Sequence, residues 1–141
     1  MRWKSRVLPA AAAALLVATS ASFLPGCSTS GEHPVHFKEG AAVSVIVTYD
    51  PETKTATMSN KEIQLSFKHK NFAEWASPDG LVYVTFTRES PFDAPPRHDR
   101  KVLKSGPPKP GTVGRGFDYT AELELPDKTR VKVDPRIEIV P

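Results

Sequence analysis

Ten residues near the C-terminal end, Gly116 to Leu125 (GFDYTAELEL), limit what this chain can become more than any other stretch. Phe117, Tyr119, Ala121, Leu123 and Leu125 alternate with Asp118, Thr120, Glu122 and Glu124. A period of two puts the apolar set on one face and the polar set on the other, which is a strand with one wet side. An apolar strand face has to be covered, so further strands must pack against it.

The rest of the chain supplies them. Ala42 to Asp50 places Val43, Val45, Val47 and Tyr49 on one face; Ile46 makes the other face partly apolar, and burial on both sides is expected. Thr53 to Met58 is a weaker, Thr-rich β segment. Lys61 to Phe67 sets Ile63, Leu65 and Phe67 inward against Glu62, Gln64 and Ser66 outward. Asn71 to Trp75 adds an aromatic cluster, Pro78-Asp79-Gly80 signals a turn, and Leu81 to Arg88 is a strand with Val82, Val84 and Phe86 on one face. After the central strand come Thr129 to Val133, a break at Asp134-Pro135, and Arg136 to Val140 with Ile137 and Ile139 on one side. No sustained helical period follows residue 26. The expectation is an all-β domain, a sandwich or barrel of about seven strands. Glu89 to Arg115 breaks the pattern with Pro91, Pro95, Pro96, Pro107, Pro108 and Pro110. Only Lys101 to Lys104 within it suits a short strand or helical turn, and a long structureless loop of this kind is often functional.

The first residues do not belong to that domain. Arg2, Lys4 and Arg6 form a basic start, Val7 to Phe23 is an apolar, Ala-rich run, and Leu24-Pro25-Gly26-Cys27 closes it. This resembles the lipobox of bacterial lipoproteins. The resemblance implies cleavage before Cys27 and lipidation of its sulfur. Cys27 is the chain's single cysteine. A lone thiol in a secreted protein is an anomaly that thioether lipidation resolves, and it rules out an intramolecular disulfide. The expected organisation is a leader over 1–26, a small, polar tether over 27–40 and a domain over 41–141. Ser28 follows the cysteine, with no Asp there to retain the product at the inner membrane. The implied location is the outer membrane, facing the periplasm of a Gram-negative cell.

The chain carries 19 Lys and Arg against 16 Asp and Glu, and Arg2, Lys4 and Arg6 account for the difference. The mature balance is therefore zero, and the basic character belongs to export. It gives no support to nucleic-acid binding.

Trp75, a turn, then a Val-x-Val-x-Phe strand running to Ser90-Pro91-Phe92 is similar to the middle of bacterial cupredoxin-like domains. Phe117-Asp118-Tyr119 resembles the strand that carries the copper cysteine in true cupredoxins. Val133-Asp134-Pro135-Arg136-Ile137-Glu138-Ile139 resembles the close of metal-free relatives. What this implies is a cupredoxin-like, Greek-key sandwich without its metal. A blue-copper site needs two His, a Cys thiolate and usually a weak axial Met. The cysteine would fall near Ala121, and Leu81, Val82 and Tyr83 stand where the first histidine is expected. No cofactor is implied.

Four histidines remain as candidates for chemistry. His33 and His36 lie close together in the tether, where a metal site would lack the rigid shell that ligands need. His69 sits between Lys68 and Lys70 and is expected to be solvated. His98 lies in Pro96-Arg97-His98-Asp99-Arg100-Lys101, a solvated loop or a partner-contact site built from Arg97, His98, Arg100 and Lys101. Glu122 and Glu124 share an outer face as a paired-carboxylate candidate or, more simply, as a solubilising face. Pro107-Pro108-Lys109-Pro110 suits a polyproline ligand or a stiffened loop. No Gly-x-Ser-x-Gly, His-Glu-x-x-His or Walker pattern occurs. The expected function is that of a non-enzymatic, lipid-anchored binding module with a cell-envelope protein as partner, displaying the Pro-rich loop. The alternative is a periplasmic copper- or zinc-handling protein that uses His33, His36, His69 or His98.

Overall fold

The computed structural model describes residues 36–141. The expected leader, the expected lipidation site Cys27, most of the tether and His33 lie outside the described residues. Ten strands form: β1 (Ala42–Asp50), β2 (Thr55–Met58), β3 (Glu62–Ser66), β4 (Phe72–Ala76), β5 (Leu81–Phe86), β6 (Arg97–Asp99), β7 (Val102–Lys104), β8 (Gly116–Glu124), β9 (Arg130–Val133) and β10 (Arg136–Val140). Among the described residues there is no helix. One sheet runs β2-β1-β4-β7-β6; the other runs β3-β10-β8-β5, with β9 also paired to β8. Both sheets are mixed, because β1 with β4 and β3 with β10 are parallel pairs while the other pairings are antiparallel. The strand count exceeds the expected seven. β2 is a full strand paired to β1, and the Pro-rich stretch contributes β6 and β7.

The two sheets share one core. Val45, Val47, Ala73, Trp75 and Leu103 come from the first, and Ile63, Leu65, Val82, Ile137 and Ile139 from the second. β8 behaves as its alternation requires: Phe117, Tyr119, Ala121 and Leu123 are buried, as is Leu125 just beyond it. Each fully buried side chain of this size contributes about 1.5–3 kcal/mol. At Gly80, in the turn into β5, any Cβ would overlap the Glu124 carbonyl, so only glycine lets the turn close against β8.

Three local expectations fail. Ile46 is 41% exposed, so β1 is buried on one face only; none of the described residues covers the outer side of its sheet there. Phe67 is not inward either. β3 ends at Ser66, whose buried hydroxyl donates to the Pro141 carbonyl, and the chain turns away before the period can place Phe67.

The third is the Pro-rich stretch, which is built structure. Phe92 is buried and meets the Phe86 ring edge-on at 5.7 Å. Phe92 and Pro108 form an isolated antiparallel bridge, and the Lys109 amide donates to the Pro91 carbonyl at 2.8 Å. Ser105 Oγ accepts the Ala73 amide, while buried Thr112 donates to the Lys109 carbonyl. Pro interrupts strand periodicity in sequence, but these residues satisfy their backbone groups locally and leave their apolar rings free to fill the end of the core.

Candidate partner-contact surface

Arg97, His98, Arg100 and Lys101 come together at the β6–β7 hairpin. Its register pairs Arg97 with Lys104, His98 with Leu103 and Asp99 with Val102, leaving Arg100-Lys101 as a two-residue turn. Arg100 sits at φ 59°, the left-handed backbone that such tight hairpins demand. Arg97, Arg100 and Lys101 are exposed and have no ion-pair partner among the described residues. Lys104 is committed elsewhere: it pairs with Asp99 at 3.2 Å and Glu74 at 3.5 Å, and the Asp99 carboxylate holds its ammonium above the usual lysine range. The tip is therefore a small basic surface on a rigid support.

His98 is exposed, as a solvated loop residue would be, but its ring is tied down. Its Nε2 lies 2.8 Å from the Val82 carbonyl, which can only accept, so Nε2 carries the proton. The ring also meets Tyr83 edge-on at 5.1 Å. His98 thus fastens a hairpin of the first sheet to β5 of the second. Sequence reasoning named the residue and missed this role, because Val82 is sixteen positions away and nothing in its own strand asks for a donor.

The other candidates are dispersed. His69 Nδ1 hydrogen-bonds Ser66 Oγ at 2.8 Å, and its ring stacks on Phe37 at 6.1 Å. The end of the tether is held here too: the Gly40 amide donates to the His69 carbonyl and Asn71 Nδ2 to the Lys38 carbonyl. His36 lines a groove beside Phe37. Among the described residues no group of three or more His, Cys, Asp and Glu side chains is placed to hold a metal ion.

Glu122 and Glu124 do share a face, but Arg130 lies between them, bonding Glu124 at 2.9 Å and Glu122 at 3.3 Å. Lys128 and Lys132 add further pairs, and the guanidinium also covers the Tyr83 ring at 4.8 Å. Hydrogen bonds from Arg130 and then Lys128 hold the Glu124 carboxyl below its ordinary range. A general acid needs the opposite shift, so this arrangement is an ionic face and not a proton donor.

A cleft of about 400 Å³ lies between the ends of β5 and β8, lined by Thr87, Arg88, Glu89, Arg115, Phe117 and Asp118. Its acids are neutralised from within. Glu89 accepts from Arg115 at 2.7 Å and pairs with Lys109 at 3.2 Å, and these two cations hold its carboxyl below the ordinary range. Asp118 pairs with Arg136 at 2.9 Å. The cleft offers no nucleophile beside a base. Pro108 is buried against Phe92, while Pro107 and Pro110 are exposed, so the Pro107-Pro108-Lys109-Pro110 run is anchored in the domain through its second proline. No protein-family model matches the chain, and no curated protein matches it in sequence.

Proposed function

We propose that this chain is a lipid-anchored lipoprotein of the cell envelope whose two-sheet domain is a non-catalytic binding module. One observation carries the proposal: a basic start, an apolar run and the chain's single cysteine coincide at Leu24-Pro25-Gly26-Cys27. Two acyl chains are what stable anchoring requires, and a diacylglyceryl group on Cys27 supplies both. The domain is proposed to be a cupredoxin-like, Greek-key sandwich without a type 1 copper site. Two mixed sheets around a buried Trp75 support that assignment. The binding role draws support from the basic hairpin tip at Arg97, Arg100 and Lys101, held rigid by His98, and from carboxylates that are neutralised by neighbouring cations. Ser28 after Cys27, in place of an Asp, supports an anchor in the outer membrane, facing the periplasm, in a Gram-negative cell.

The test is metabolic labelling with radioactive palmitate, followed by membrane fractionation. The natural chain is expected to take label and sediment with the outer membrane. Cys27→Ser should take none and appear in the soluble fraction. A Cys27→Ser protein that still sediments with membranes would sink the lipoprotein assignment.

A further inference from the structure

The sheet pair has an open strand edge on each long side. On one side β5 is capped at a single outward carbonyl. The Thr87 amide bonds Asp118 in β8, so by alternation the Val82 carbonyl points away from β8, and His98 caps it. On the other side lie β3, an edge strand, and the first half of β1. Lys61 and Phe67 bond β10 through their backbones. By the same alternation, Glu62, Gln64 and Ser66 direct their N–H and C=O groups away from the sheet. Ser66 is satisfied by Asn71, which donates its amide and accepts at Oδ1. Glu62 and Gln64 have no such partner among the described residues. Opposite them, Ile46 is capped at both backbone groups by Ser59, while Ala42 and Ser44 are not.

Between these edges runs a groove of about 620 Å³. Phe37, Val43 and Ile63 give it an apolar lining. Its lip is polar along a fixed direction. The Glu62 carboxylate, without an ion-pair partner among the described residues, stands at the start of β3; Lys38, whose carbonyl Asn71 holds, stands at the far end. An uncovered edge with free backbone groups at every second residue recruits another strand, and proteins otherwise cover or blunt it. Among the described residues, Glu62 and Gln64 on the β3 edge meet neither a strand nor a side-chain cap.

We propose that the β3 edge is a strand-addition site for an extended segment of a partner protein. The segment's groove-facing residues are apolar, against Phe37, Val43 and Ile63. Its outward residues are basic beside Glu62 and acidic beside Lys38. Opposite charges across a strand pair favour that register, and like charges oppose it. This deepens the binding-module proposal but does not depend on lipidation, so failure here leaves the palmitate experiment standing.

The probes are the acetylated, amidated pentapeptides Lys-Val-Thr-Val-Glu and Glu-Val-Thr-Val-Lys, titrated into full-length Cys27→Ser protein and followed by amide NMR and hydrogen exchange. One of the two is expected to bind saturably, shifting the Glu62 and Gln64 amides and slowing their exchange at least tenfold. N-methylation of one alternate set of peptide nitrogens should abolish binding, and methylation of the other set should not. Gln64→Pro removes an outward N–H without touching the β10 ladder and should weaken binding at least tenfold; should that variant fail to fold, the N-methyl pair decides. Shifts confined to Ala42 and Ser44, equal sensitivity to both methylation patterns, or no response to either peptide would each overturn the proposal. So would Glu62 and Gln64 protection that is present without peptide, whether concentration-dependent from a second copy or concentration-independent from the chain's own tether.

Discussion

The indole Nε1 of Trp75 donates to the phenolic oxygen of Tyr119 at 3.0 Å, with both side chains buried. Trp75 belongs to β4 in one sheet and Tyr119 to β8 in the other, forty-four residues apart. The rings meet edge-on at 5.7 Å, so one contact joins the sheets by both packing and hydrogen bonding. Tyr119→Phe keeps the ring and strands a buried indole N–H. It should cost about 1–3 kcal/mol, and Tyr119→Ala about 3–5 kcal/mol, in urea unfolding. A Phe variant as stable as the natural protein would show that Nε1 finds another acceptor.

The same phenol makes stability depend on pH. Burial pushes its pKa up to about 12, against the Trp75 hydrogen bond, which favours ionisation. The folded state therefore keeps its proton where the unfolded chain has lost it. The contribution is complete below about pH 10 and disappears as pH rises through about 12, a difference of roughly 3 kcal/mol. Unfolding at pH 8, 10 and 12 should show the natural protein losing that much more stability than Tyr119→Phe, which has no such group. Parallel losses in the two proteins would contradict the burial argument.

Phe92 lies in the stretch whose prolines hide its structure from sequence. Phe92→Ala should cost about 3–5 kcal/mol, because it empties the space against Phe86 and Pro108. Deleting Pro107 to Pro110 should likewise lower the thermal midpoint, since it removes the Lys109–Pro91 bond and the buried Pro108. An unchanged midpoint in either variant would return the stretch to the class of free loops.

His98→Ala leaves the Val82 carbonyl without its donor and releases the β6–β7 hairpin from β5. The expected cost is about 1 kcal/mol, with exchange accelerating at Val102 to Lys104 ahead of global unfolding. Arg100→Gly should act oppositely and raise stability by about 1 kcal/mol, because glycine relieves the positive φ that arginine adopts there. Thermal melts of both variants check the signs.

Removing the guanidinium that clamps two carboxylates should show in titration. In Arg130→Met the Glu124 carboxyl should titrate closer to the ordinary carboxylate value than in the natural protein, because the guanidinium that hydrogen-bonds its charged form is gone. The sign for stability follows. A lowered carboxylate stabilises the fold above the ordinary carboxylate range, and the gain is lost as pH falls through the lowered value. The variant should show a smaller share of that acid-dependent loss, read from the Glu124 side-chain NMR shift alongside unfolding at low pH.

The sequence by itself determined the alternating strands; it did not show β6 and left β7 between a short strand and a helical turn. Wherever apolar and polar residues alternate at a period of two, as in Phe117 to Leu125, Val43 to Val47 and Ile137 to Ile139, the inward set is the buried set, because side chains of a strand can only point to two sides. It also determined that the core must hold without a disulfide, since only Cys27 is available. The same rule misplaced Ile46 and Phe67. Period gives a side but not whether anything covers it, and it lapses where the strand ends. Composition likewise marked Arg97 to Lys101 as a charged loop without showing that it is a hairpin or how it is held. Only the tertiary structure decided that Phe92 and Pro108 are core, that His98 ties two sheets together and that Arg130 divides Glu122 from Glu124. It alone left Glu62 and Gln64 on the β3 edge without a partner among the described residues. Each of these depends on partners distant in sequence, and the backbone groups of an edge strand are identical in every residue, so no side-chain pattern records which of them the rest of the fold will leave uncovered.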